Sequence, residues 1–152
     1  DALPILTIII LLGEFYNSYQ SQEPTRSFIK MEEWLEAVHL RLESISQIEE
    51  EELRKIEEEQ EYNWIRILEK WMAIDDVKEK AKKQSGNTNS RMSFLNSVKN
   101  FLEKQGMIHD IGNNEMELTE KTKVIVQRYY MDYEYNRGLL DFIYQFDKKE
   151  GA

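Results

Sequence analysis

The chain has 152 residues, enough for one domain or two very small ones, and its 41% apolar and 11% aromatic content can bury a core. With no Cys, and only His39 and His109 as imidazoles, it lacks the raw material for disulfides, thiolate metal sites, a Cys nucleophile or a histidine-based zinc site. A net charge of −9 opposes whole-surface attraction to nucleic acid or anionic membrane. The charge is unevenly spread, since residues 49–61 sum to −6 and residues 62–110 to +3.

Ala2 to Leu12 is apolar almost throughout, yet eleven residues fall short of the roughly 20 that span a bilayer. No basic segment precedes the run, so neither a membrane span nor a secretory signal is expected, and a cytoplasmic location follows. Apolar positions cover most of the helix circumference, so the helix needs partners on two sides. It reads either as a central core helix or as a subunit contact, with Ile8, Ile9 and Leu12 as the candidate interface residues. The helix is expected to run through Phe15, Tyr16 and Tyr19 and to stop near Ser21 to Pro24, because proline cannot continue it.

Arg26 to Lys30 reads as a short strand. Met31, Trp34, Leu35, Val38 and Leu42 recur at helical spacing and predict a second helix over 31–43. The glutamate-rich tract from Glu49 to Glu61 has Leu53 and Ile56 as its only aliphatic anchors, which marks a solvated helix face or a linker. It lacks the oxygen-ligand spacing and glycine turn of a calcium loop, so no metal site is expected. Apolar period returns at Trp64, Ile67, Leu68, Trp71 and Ile74, and one long helix over about 46–73, whole or broken, is expected. Asp75 and Asp76 are read as starting a further short helix, and Gln84 to Asn89 as a polar turn.

Ser90 is a natural N-cap, and Phe94, Leu95, Val98, Phe101 and Leu102 then fall on one helix face. Gly106 sits where a glycine closes a helix. The segments 107–111 and 115–118 alternate around Gly112-Asn113-Asn114, the pattern of a small hairpin. Thr119 caps a helix carrying Val124, Ile125, Tyr129, Tyr130, Tyr133 and Tyr135, and Leu139, Leu140, Ile143 and Phe146 predict a last amphipathic helix. Four tyrosines in seven helical positions cannot all face inward. Tyr129, Tyr130 and Tyr133 are therefore candidate protein-interface residues.

The expected fold is mainly α with a small β-hairpin, in the order of a winged helix with helical extensions. Three parts are expected: an N-terminal helical module at 1–45, an acidic helix or linker at 46–63, and a winged-helix module at 64–147, followed by a polar tail at 148–152. As a recognition helix, the segment after Ser90 offers Arg91 and Asn96 for purine edges and Lys99 and Lys104 for phosphate. Lys82 and Lys83 could add backbone contacts, and Asn113 and Asn114 lie at the wing tip. The competing reading is a solvated helix face in a winged helix adapted to protein contacts, which the acidic chain and Glu103 favour. No Walker A, GxGxxG, HExxH or GxSxG motif occurs, so no catalytic residue, cofactor or small-molecule substrate is expected.

The run SRMSFLNSVKNFLEKQGMIHDIGNNEMELTEKTKVIVQRYY resembles the second module of the tandem winged-helix, kleisin-interacting (KITE) subunits of bacterial SMC complexes. These are the MukE- and MksE-type family, including the corresponding subunits of Wadjet plasmid-defence systems. The phrases FLEKQGMI and ELTEKTKVIV carry the likeness, over about residues 88–131. Residues 3–43 would then be what remains of a first module, without its wing. The resemblance implies a homodimer that grips a kleisin and helps hold DNA near the ATPase heads of an SMC chain, with any nuclease chemistry supplied by another subunit. The alternative is a winged-helix transcriptional regulator whose Arg91, Asn96 and Lys99 read an operator.

Overall fold

In the computed structural model of the chain, residues 2–81, 90–130 and 139–145 are described. The first helix, α1 (Ala2–Phe15), buries Leu3, Leu6, Ile9, Ile10, Leu11, Leu12 and Phe15, as expected of a helix apolar on every side. It ends earlier than the sequence predicts. Asn17, Ser18 and Tyr19 take left-handed φ of 53°, 56° and 65°, conformations that cost about 1–2 kcal/mol per residue outside glycine. Tyr19 offsets that cost. Its ring is buried against Tyr144, and its hydroxyl donates to the Ile9 carbonyl at 2.7 Å. A helix continued to Ser21 would have carried Tyr19 about 15 Å along the axis from Ile9, out of reach of that carbonyl.

Strand β1 (Ile29–Lys30) leads into α2 (Met31–Ser46), whose first turn is fixed by Glu33. That carboxylate accepts the Lys30 backbone N–H at 3.0 Å and a two-pronged contact from Arg26. Burial pushes its pKa up, but the Lys30 N–H and the Arg26 guanidinium outweigh burial and hold it below the usual glutamate value. The acidic tract forms α3 (Glu50–Gln60), separated from α4 (Trp64–Ala81) by Glu61 in the left-handed region. The break is held on both sides, because Glu57 accepts the Ile65 N–H and Gln60 accepts the Trp64 indole N–H, each at 2.8 Å. Helix α4 runs through Asp75 and Asp76, so no new helix starts there. The apolar period from Trp64 had already committed the segment, and two acidic residues do not interrupt it. The polar turn at 84–89 lies outside the described residues apart from its neighbours.

Helix α5 (Ser90–Lys104) closes with a Schellman motif around Gly106, at φ +71°. Met107 N–H reaches the Leu102 carbonyl and Gly106 N–H the Glu103 carbonyl. Strands β2 (Ile108–Gly112) and β3 (Glu115–Leu118) follow. Asn113 and Asn114 both have positive φ, as the two-residue turn of a tight hairpin requires. Thr119 caps α6 (Glu120–Ile125) by accepting the Thr122 N–H, and the chain continues as a π-helical turn at Val126–Tyr130. Residues 139–145 form a further helix, α7.

The fold is mainly helical with one three-stranded antiparallel sheet in the order β1-β3-β2. Ile29 pairs with Met116 and Lys30 with Glu115, while Ile108 pairs with Leu118 and Asp110 with Met116. The edge strand nearest α2 thus comes from residues 29–30 and lies beside a hairpin some 80 positions later. Helices α1, α2 and α5, with β1 and the hairpin, have the element order of one winged helix, and the α3–α4 hairpin is inserted between its second and third helices. One buried cluster runs from Leu3 through Trp34, Trp64, Trp71, Leu95 and Met116 to Tyr144, so the parts at 1–45, 46–63 and 64–147 share a core. The Trp34 indole N–H donates to the Thr7 carbonyl at 2.9 Å, stitching α2 to α1. Among the described residues the sheet is a single one, and no second wing accompanies residues 3–43.

Candidate interaction surface on the third helix and the wing

Helix α5 and the β2–β3 hairpin carry most of the candidate contact residues read from the sequence, and α5 is set by three buried anchors. Leu95, Val98 and Leu102 are buried at one-turn spacing, with the Gly106 closure fixing where the wing begins. Only part of the predicted apolar face is internal. Phe94 is half-buried, and Phe101 is 54% exposed. Both lie at the same edge of the apolar arc, where the helix turns away from the core.

The polar face departs further from expectation. Arg91, a candidate base reader, is 5% exposed. Its guanidinium carbon sits 4.3 Å from the centre of the Trp71 ring, and the group donates to the Trp71 carbonyl at 3.1 Å and lies 3.0 Å from His39 Nδ1. Arg91 is a tertiary clamp joining α2, α4 and α5. It faces inward because its position is one turn before Leu95 on the same side of the helix. Lys99, the second candidate, donates to Asp110 Oδ2 at 2.8 Å and is mostly covered. Asp110 also accepts the Gly112 N–H at 2.9 Å through Oδ1. The Lys99 ammonium, then the Gly112 N–H, hold the Asp110 carboxyl below the usual aspartate value. This bridge ties α5 to the bulge between Asp110 and Gly112 in the wing.

The polar residues that remain exposed on α5 are Ser93, Asn96, Ser97, Asn100, Glu103 and Lys104, a neutral strip with one acid and one base beside the exposed Phe101. Asn113 and Asn114 are both exposed at the wing tip, where the Asn114 amide donates to Glu32 Oε1 at 3.2 Å and its backbone carbonyl accepts the Met31 N–H. Of the DNA-contact candidates, Asn96, Lys104 and Asn113 stay outward-facing, Arg91 and Lys99 do not, and Asn114 holds the wing to α2. Lys82 and Lys83 lie outside the described residues.

Of the interface candidates, Ile9 and Leu12 are buried within this chain's own core and Ile8 is half-buried against it. They are core residues here because α2, α4 and α5 already surround α1. The side chains of Tyr129 and Tyr130, and Tyr133 altogether, lie outside the described residues. Ile111 was not anticipated. It is 45% exposed in the wing, at the bulge that takes it out of the β2–β3 register. A break in the alternation after Asp110, where Gly112 follows an isoleucine, is the only sequence signal for it.

Among the described residues no helix is long and apolar enough to cross a membrane. No curated protein and no solved structure matches the chain. A family model does match, over residues 3–150, and with nearly the whole length covered the chain belongs to DUF6063, a family of unknown function.

Proposed function

We propose that this protein is a non-catalytic winged-helix subunit that works by protein contact, as an accessory, kleisin-binding component of a cytoplasmic SMC-type, condensin-like complex. In that role it dimerises and helps hold DNA beside ATPase heads that belong to another chain, including in anti-plasmid defence. The observation that carries this reading is the composition of the α5 face. Arg91 is spent on Trp71 and Lys99 on Asp110, while Phe101 and the wing residue Ile111 stand out in solvent. A helix that reads bases needs its cations and amides facing outward, because phosphate neutralisation supplies most of the binding. Exposed aromatic and aliphatic side chains on a neutral strip instead suit a desolvated protein–protein contact. The resemblance of residues 88–131 to kleisin-interacting subunits supports the choice of partner.

The test is affinity purification of the tagged protein from its own host, with identification of any coiled-coil ATPase or kleisin-like chain that co-purifies. Stable co-purification that Phe101→Asp disrupts, without loss of the folded state, supports the proposal. Tight, salt-dependent binding of the isolated protein to a defined duplex, with no co-purifying chain, replaces it with the transcriptional-regulator reading.

A further inference from the structure

We infer that the gap between residues 23–27 and the end of β3 takes an extended, lysine- or arginine-bearing segment of a partner protein, which adds to the sheet as a further strand. Pairing between β1 and β3 stops at Ile29 opposite Met116, although β3 runs on to Leu118. Main-chain groups of a strand turn alternately to its two sides. Met31 N–H donates to the Asn114 carbonyl and Thr119 N–H to the Met107 carbonyl, so Asn114, Met116 and Leu118 address the β1 side and Thr119 the β2 side. Ser27 is the residue that would continue the ladder opposite Leu118, but no main-chain bond joins the two. The chain from Glu23 to Ser27 instead stands off across a recess of about 520 Å³, which Leu118 lines. Leu118 is only 7% exposed, and its N–H and C=O open onto this space without a partner among the described residues. A donor and an acceptor left open in a nearly buried residue are what an added strand satisfies.

The shape of the occupant follows from those two groups. A helix has its main-chain groups bonded internally and cannot offer them, whereas an extended chain can. Its charge follows from the rim. Glu23, Arg26, Glu117 and Lys123 line the recess, but Arg26 is engaged by Glu33 and Lys123 by Glu120. Four carboxylates thus surround two cations, and among the described residues no ion pair engages Glu23 or Glu117. The field reaches the Tyr16 hydroxyl, which is held above the usual tyrosine value by burial first and then by Glu23 and Glu120. No group of acidic side chains among the described residues is placed to hold a metal ion, so a cationic side chain is the complement. A phosphate backbone would be repelled. No residue of α5 lines the recess, so the inference goes beyond the proposed subunit role and does not rest on it.

The probe is a capped, fluorescein-labelled decapeptide of alternating lysine and threonine, titrated into the full chain and followed by anisotropy. Binding should weaken at least tenfold when Glu23→Gln and Glu117→Gln are combined. It should weaken as much when the central peptide bonds are N-methylated, a change that removes main-chain donors and leaves the charge intact. Glu58→Gln with Glu59→Gln, on the exposed face of α3, should leave it unchanged. Thermal melts of both double variants should match the parent chain, which separates lost binding from lost folding. The inference is overturned if the peptide does not bind, if the N-methylated peptide binds equally, or if the α3 variant weakens binding as much as the rim variant. That last result would mean diffuse attraction to an acidic chain. Equal binding of a glutamate-for-lysine peptide would overturn the choice of a basic occupant.

Discussion

The guanidinium of Arg91 lies over the ring of Trp71, 4.3 Å from its centre, and donates to the carbonyl of that same residue. One side chain thus covers an aromatic face and satisfies a carbonyl in the middle of α4, locking the first turn of α5 in place. A residue that the sequence offers as a base reader acts as a rivet.

Replacing Arg91 should therefore cost folding. Arg91→Ala removes a hydrogen bond to the Trp71 carbonyl and uncovers the indole, an expected loss of about 2–4 kcal/mol in urea unfolding. Arg91→Lys should recover little of it, because an ammonium cannot spread over the ring and reach both acceptors. A phosphate contact would tolerate lysine. If Arg91→Lys were as stable as the parent chain, the clamp would not be a structural one.

The bridge between Lys99 and Asp110 makes the wing sensitive to acid. The folded state holds the Asp110 carboxyl below the usual aspartate value, so the stability it adds is present above that usual value and is lost as pH falls through the lower, folded one. Carboxyl-detected NMR titration should show Asp110 titrating low in the parent chain and returning toward the ordinary range in Lys99→Met. Protection of the Gly112 amide, its exchange rate taken relative to the intrinsic rate at each pH, should fall over the same acidic interval, since Asp110 also accepts its N–H.

Gly13, in α1, offers a test whose sign is unambiguous. An alanine in a helix interior normally gains about 1 kcal/mol over glycine. Here a Cβ would strike the Tyr144 hydroxyl of α7 and crowd the Tyr19 ring. Gly13→Ala should instead destabilise by about 1–3 kcal/mol, the usual cost of overpacking. Limited proteolysis should release the C-terminal segment from the variant before the rest of the chain is cut.

Two residues on α5 separate core from contact. Leu95 is fully buried, and Leu95→Asp should lose more than about 3 kcal/mol and unfold the domain, as an unpaired carboxylate in a core does. Phe101→Asp should leave the thermal midpoint nearly unchanged, because more than half of that ring is already in water. A large drop in stability for Phe101→Asp would show that the ring packs inward and would remove it from the interaction surface.

By itself, the sequence determined the local elements and their punctuation. The apolar period at Trp34 and Val38, the closure at Gly106, the Asn113-Asn114 turn and the Thr119 cap all depend on neighbours within a few residues, and the structure has each of them. Burial of Trp34, Trp64 and Trp71 was legible for the same reason, since large apolar side chains at helical spacing have nowhere else to go. Tertiary structure decided the rest. That residues 29–30 pair with a strand more than 80 positions away, and that one buried cluster runs from Leu3 to Tyr144, depends on long-range register that no local pattern encodes. The same holds for the site. Arg91, Lys99 and Phe101 have the same local signature as any residues on an amphipathic helix, and only the approach of Trp71 and Asp110, and the absence of a covering neighbour over Phe101 among the described residues, turned two cations inward and left an aromatic ring outside.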